Sequence, residues 1–155
     1  MDPLSATASV VALITLCTNV GRGTLDLVKT LNKAPVELVL LSNEVNDLSA
    51  ILNEVRLACL ADSRAPKEQS FSDQSSLSNR VTFATQVATQ VGHARDEVQS
   101  LDAIVKSLKT SPHSGRGIET ERLRWAMKKG HSQKIQKQLQ QRVQKLLTLL
   151  QARST

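Results

Sequence analysis

The chain has 155 residues, 20 of them Lys or Arg and 14 Asp or Glu, for a formal net charge of +6. That length suits one domain, which on folding would bury about 68–70% of the surface of the unfolded chain. An apolar share of 40% and a charged share of 22% exclude both a disordered chain and a polytopic membrane protein.

The aromatic residues are Phe71, Phe83 and Trp125, with no Tyr. A core drawn from Leu, Val, Ile and Ala suits helix packing better than a β-sandwich. Without a series of rings to stack bases, a single-stranded nucleic-acid platform is disfavoured.

Asp2-Pro3 opens the first predicted helix, Asp as an acceptor for free backbone N–H groups and Pro in the first turn. From Pro3 to Gly21 there are 19 uncharged residues, 11 of them apolar. A signal peptide would need a basic segment ahead of the apolar run, but the charged residue there is Asp2. Ser5, Thr7, Ser9, Thr15, Thr18 and Asn19 interrupt the run too often for a constitutive membrane span. The segment is a helix of borderline hydrophobicity. Gly21-Arg22-Gly23 predicts a kink or break, after which Leu25, Leu27, Val28 and Leu31 resume the helical pattern to about Asn32.

Pro35 begins the second helix. Leu38, Val45, Leu52 and Cys59 recur every seven residues, with Leu41, Leu48 and Val55 between them. This 3,4 alternation marks a helix packed along its length, ending near Ala61-Asp62. Residues 62–76 are rich in Ser and charge and read as a loop. A third long helix follows, with rows Ala84, Val91, Val98, Val105 and Val87, Ala94, Leu101, Leu108. Thr110–Gly117 reads as a second loop. Glu119–Lys129 reads as a short helix, Gly130 as a separator and Ser132 as the N-cap of a last helix. Ile135, Leu139, Val143, Leu146 and Leu150 form its buried stripe, with Lys134, Lys137, Gln138, Gln141 and Lys145 away from it. No convincing strand is present. The expected architecture is a single all-α domain over residues 1–155, an antiparallel bundle of four to five helices with a hydrophobic N-terminal helix.

Catalytic and metal patterns are missing. His93, His113 and His131 have no second His or Cys at ligand spacing. Neither Gly21-Arg-Gly23 nor Gly115-Arg-Gly117 continues into a phosphate-binding Gly-Lys-Ser/Thr. Asp96-Glu97 reads as a solvated helix face rather than an acid/base pair. Cys17 and Cys59 read as buried thiols in reducing cytosol, with no pattern supporting a disulfide. The expectation is a non-enzyme without metal, cofactor or small-molecule substrate.

Charge is uneven. Residues 1–60 carry four basic and six acidic side chains, whereas residues 111–155 carry ten basic and two acidic. The basic-surface candidates are Arg122, Arg124, Lys128, Lys129, Lys134, Lys137 and Lys145. They form either a plain solvated helix face or a surface for anionic lipid. Duplex nucleic acid ranks lower, because no groove-reading motif accompanies the charge.

Four blocks, in order, carry a family resemblance: MDPLSATASVVALITL at Met1–Leu16, Ala34-Pro35, LSNEVNDL at Leu41–Leu48, and RLRW at Arg122–Trp125 ahead of a basic, Gln-rich Leu helix. Together they resemble the fungal N-terminal domain of STAND-type proteins. This is the HeLo-like group, related also to an azaphilone pigment cluster protein. The resemblance spans essentially the whole chain. It implies an all-α bundle of the kind that precedes NACHT or NB-ARC modules or ankyrin repeats. It also implies a cytoplasmic cell-death executor whose N-terminal helix enters the plasma membrane after assembly.

Carried over, the mobile unit is Met1–Val20 and the inserting residues are Leu4, Val10, Val11, Leu13, Ile14 and Leu16. The alternative is a helical protein–protein interaction module, self-associating or docking a partner without lipid. As such it could be an accessory protein of a secondary-metabolite cluster.

Overall fold

In the computed structural model, residues 3–30, 36–64, 74–109 and 117–154 are described. They form four helices: α1 (Pro3–Thr30), α2 (Val36–Arg64), α3 (Gln74–Lys109) and α4 (Gly117–Ser154). No strand occurs among the described residues.

Each helix lies where its apolar spacing requires. Every member of the two α2 rows, Leu38, Leu41, Val45, Leu48, Leu52, Val55 and Cys59, is 0% exposed. A fully buried side chain of this size contributes about 1.5–3 kcal/mol, so α2 is the best-anchored strip of the core. Both α3 rows are buried from Ala84 to Val105, while Leu108 lies outside the described side chains. In α4, Ile135, Leu139 and Leu146 are buried, and Val143 and Leu150 pack partly buried against the core.

Two expected breaks are absent. The first helix runs on through Gly21-Arg22-Gly23, and no glycine among the described residues has positive φ. Glycine costs about 1 kcal/mol against alanine inside a helix, which the buried Val20, Thr24 and Leu27 on either side outweigh. Thr24 Oγ1 donates to the Val20 carbonyl at 2.8 Å across this stretch. Gly21 also sits where α2 comes near: a Cβ there would lie 3.5 Å from Asn46 Oδ1 and 3.8 Å from Val45 Cγ1.

Likewise, Gly130 does not separate two helices. Helix α4 passes through it unbroken, and Ser132 is 1% exposed in mid-helix rather than capping an end. A helical glycine there carries no conformational demand that would end the ladder. Residues 62–64 belong to α2 and 74–76 to α3 rather than to a loop. Of that expected loop and of Thr110–Gly117, residues 65–73 and 110–116 lie outside the described residues.

Packing follows a ring. Helix α1 lies against α2 and α3; α4 also lies against α2 and α3; among the described residues α1 and α4 do not touch, and α2 and α3 meet only narrowly. The bundle order is therefore α1–α2–α4–α3, with α1 and α4 on opposite corners. Cross-helix pairs give the register. Glu44 meets Gln140 and Asp62 meets Arg153 between α2 and α4. Glu97 meets Arg142 and Phe83 meets Arg153 between α3 and α4.

Candidate functional site: the outer face of the first helix

The apolar residues of α1 divide between two faces. Ala6, Val10, Leu13, Cys17, Val20 and Leu27 point into the core and are at most 6% exposed. Leu4 (66%), Val11 (44%) and Leu25 (45%) point outward, seven residues apart with Thr18 completing the row. Of the six insertion candidates, Val10 and Leu13 are thus core side chains. Leu4 and Val11 are exposed, and Ile14 and Leu16 pack partly buried against the core. A row that alternates with the buried face at helical spacing looks in sequence like part of it, which is why the six formed a single group.

Five hydroxyls of this helix are satisfied within it. Thr7 Oγ1 donates to the Pro3 carbonyl at 2.8 Å, Ser9 Oγ to Ser5 at 3.2 Å and Thr15 Oγ1 to Val11 at 3.1 Å. Thr18 Oγ1 donates to Ile14 at 2.9 Å and Thr24 Oγ1 to Val20 at 2.8 Å. A hydroxyl bonded to the carbonyl four residues back needs no water partner for its proton, so the cost of moving it into an apolar medium falls. By length and composition α1 is apolar enough to cross a membrane, a test that the core helix of a soluble protein also passes.

On the opposite corner, Lys134, Lys137 and Lys145 are exposed on α4. Arg122, Arg124, Lys128 and Lys129 belong to α4, but their side chains lie outside the described residues. Two further α4 cations are committed internally. Arg142 Nε meets Glu97 Oε1 at 3.0 Å, with side chains 14% and 9% exposed, and its Nη1 donates to Gln90 Oε1 at 2.8 Å. Glu97 Oε2 is buried and takes no hydrogen bond. The carboxylate expected on a solvated face is therefore half of a buried ion pair, while Asp96 beside it is exposed.

Arg153 closes the last turn. It bonds Asp62 and, at 3.3 Å, the Ala58 carbonyl on α2, and it stacks 5.7 Å from the Phe83 ring centroid on α3. The Asp62 hydrogen bond raises its pKa further above the usual guanidinium range.

These arginines were readable in principle. Ile135, Arg142 and Leu149 form one heptad row of α4, and Leu139, Leu146 and Arg153 form the other. A charge on a core row announces a buried partner.

Cys17 and Cys59 are free and buried. Burial pushes the Cys17 thiol up to about 12. Burial first, then nearby Asp62, pushes the Cys59 thiol up to about 11, with Arg153 opposing. Such thiols are poor nucleophiles, since the thiolate is the reactive form. Among the described residues no group of three or more His, Cys, Asp or Glu could hold a metal ion. His93 and His131 stand exposed, and His113 lies outside the described residues. Compared with family models, curated proteins and solved structures, the chain matches none.

Proposed function

We propose that this chain is a non-enzymatic helical signalling module that oligomerises and acts on membranes through its first helix. One observation carries the reading: the outer face of α1 is uncharged from Leu4 to Asn19, and the Ser9, Thr15 and Thr18 hydroxyls are spent on carbonyls of the same helix. A helix built only for the core of a soluble bundle has charged residues on its outer face. This one reaches its first outward charge at Arg22.

The energetics set the conditions. Withdrawing α1 uncovers Val10, Leu13, Val20 and Leu27, a loss of roughly 6–12 kcal/mol at 1.5–3 kcal/mol per side chain. The hydrocarbon interior of a bilayer restores that burial and adds Leu4, Val11, Ile14 and Leu16. The faces of α2 and α3 that α1 leaves behind must then be covered, and other copies of the chain can cover them. Assembly and insertion are thus linked steps.

The ring order adds a constraint. The exposed lysines of α4 and the outer face of α1 are on opposite corners, so one flat membrane cannot touch both in the closed bundle. Docking of α4 on anionic lipid, at the plasma membrane of the resembled fungal executors, precedes release of α1. The five residues 31–35 reach at most about 20 Å, against about 42 Å for α1. The α1–α2 pair is therefore read as antiparallel, and the same argument applies to the α3–α4 pair.

Dye leakage from anionic vesicles tests the reading. The whole chain is expected to release dye, and Val11→Glu to abolish release while leaving the bundle folded, because Val11 is already at the surface. Leakage retained by a helical, monodisperse Val11→Glu protein would refute it.

A further inference from the structure

Among the described side chains, the exposed apolar ones are not spread around the bundle. Among the described residues the large ones are Leu4, Val11 and Leu25 on α1, Val36, Val39, Leu40 and Leu57 on α2, and Val81 on α3. Seven of these eight lie on two adjacent helices.

Heptad position places six of them, Leu4, Val11, Leu25, Val36, Val39 and Leu57, on one surface, while Leu40 falls on the row of Asp47 and Glu54. Gly21 marks the row of α1 that faces α2, since its nearest neighbours are Asn46 and Val45. The next row around α1 is Leu4, Val11, Thr18 and Leu25. On α2, Asn46 shares its row with Val39 and Asn53, and the next row outward is Val36, Asn43, Ala50 and Leu57. The two helices therefore present a shared face whose bordering rows carry no charge from Leu4 to Leu25 on α1 or from Val36 to Leu57 on α2, with Arg64 at the far end of the outer α2 row.

We propose that this α1–α2 face is the docking surface for a second copy of this chain, in a two-fold dimer with like face on like face. The size fits. Two helices about 42 Å long, with axes 8–10 Å apart, offer a face of about 800 Å², the contribution of each partner to a standard stable interface. Charge fits as well. The excess of basic over acidic residues lies entirely in the last third of the chain, whereas residues 1–60 carry six acidic and four basic residues. A contact through α1 and α2 keeps the basic last third of each copy away from that of the other, so the positive excess is not brought together. An anionic partner would instead seek α4.

The proposal rests on the self-associating part of the function above and adds a contact of the closed bundle, separate from the inner faces of α2 and α3 that copies cover once α1 has left. The dimer covers the same row of α1 that a bilayer would take, so it is the soluble, resting form, and lipid and the second copy compete for one face.

Sedimentation equilibrium of the full chain without lipid tests this directly. Interfaces of this size bind from micromolar downward, so at roughly 100 µM the protein is expected at twice its 16.9 kDa mass. Val39→Glu and Leu57→Glu, both at exposed positions, are expected to return the single-chain mass with unchanged circular dichroism. Lys137→Glu on the far corner is expected to leave the dimer intact. A monomeric wild-type protein, or a dimer that survives both α2 substitutions, would overturn the proposal. Vesicle leakage is read separately: a dimer without leakage counts against the membrane function alone, and leakage from a strictly monomeric protein counts against the dimer alone.

Discussion

Replacing Arg142 by Ala would leave Glu97 as a buried carboxylate without its cation. At the 3.0 Å separation seen here, the gross attraction is about 5 kcal/mol with an effective dielectric of 20. Much of that is offset by desolvation in the folded protein, because both side chains are at least 86% buried. Removing one partner keeps the desolvation of the other and loses the attraction, which costs about 3–5 kcal/mol. The Gln90 hydrogen bond from Arg142 is lost in the same step. For a domain of this size, 1 kcal/mol shifts the melting temperature by about 2–4 °C, so Arg142→Ala is expected to melt roughly 6–20 °C lower. Replacing both partners by Leu removes the penalty with the charges, and since Glu97 Oε2 is unpartnered, Glu97→Leu/Arg142→Leu is expected to match or exceed wild type. Thermal and urea denaturation of the two singles and the double give the coupling energy. An Arg142→Ala protein within about 0.5 kcal/mol of wild type would refute a buried pair between α3 and α4.

Leu13→Ala is expected to cost about 2–5 kcal/mol, but Leu4→Ala about 0.5 kcal/mol or less; equal losses in urea unfolding would contradict the two-faced α1. Gly92 is exposed, helical and open, with nothing within 4 Å of an added Cβ, so Gly92→Ala should stabilise by about 0.5–1 kcal/mol, and a loss in thermal denaturation would show that the site is not open helix. Arg153→Ala removes contacts to α2 and α3 together, but the side chain is a third exposed, which limits the expected loss to about 1–2 kcal/mol; hydrogen exchange should rise first around Ala58 and Phe83. The unfolded chain releases its thiol protons near 9.0, while the folded chain holds them to about 12 at Cys17 and about 11 at Cys59. The folded state thus binds more protons across that window, and the thiol contribution to stability is present below pH 9 and falls as pH rises toward 11. Unfolding free energies measured from pH 8 to 11 should decline, and Cys17→Ala should flatten the decline.

The buried rows of α2 and α3 were legible because seven-residue spacing is a local property of the chain, and every described member of those rows is in the core. Helix ends were less legible. Gly21, Gly23 and Gly130 are breakers by propensity, yet about 1 kcal/mol per glycine is small beside the burial of the residues around them. The neighbours that decide such a contest are distant in sequence, as Asn46 is from Gly21. The site was half legible. The uncharged run of α1 could be read directly, but which of Val10 and Val11 faces solvent depends on where α2 and α3 lie. The basic-surface candidates left out Arg142 and Arg153, which point to Glu97, Gln90, Asp62 and Phe83, but the partners of these two arginines were not read. Finding them required treating the α4 heptad rows as core rows even where they held a charge. The opposition of α1 and α4 follows from ring order, which no single helix encodes.

The central claim is that the outer face of α1 passes from water into hydrocarbon. The most direct measurement attaches an environment-sensitive fluorophore at Val11→Cys, and in a separate sample at Lys137→Cys, with both native thiols buried and slow to react. On anionic vesicles a strong blue shift is expected at position 11, with position 137 remaining at the wet interface. Vesicle-bound protein whose position 11 keeps its aqueous emission would contradict that claim.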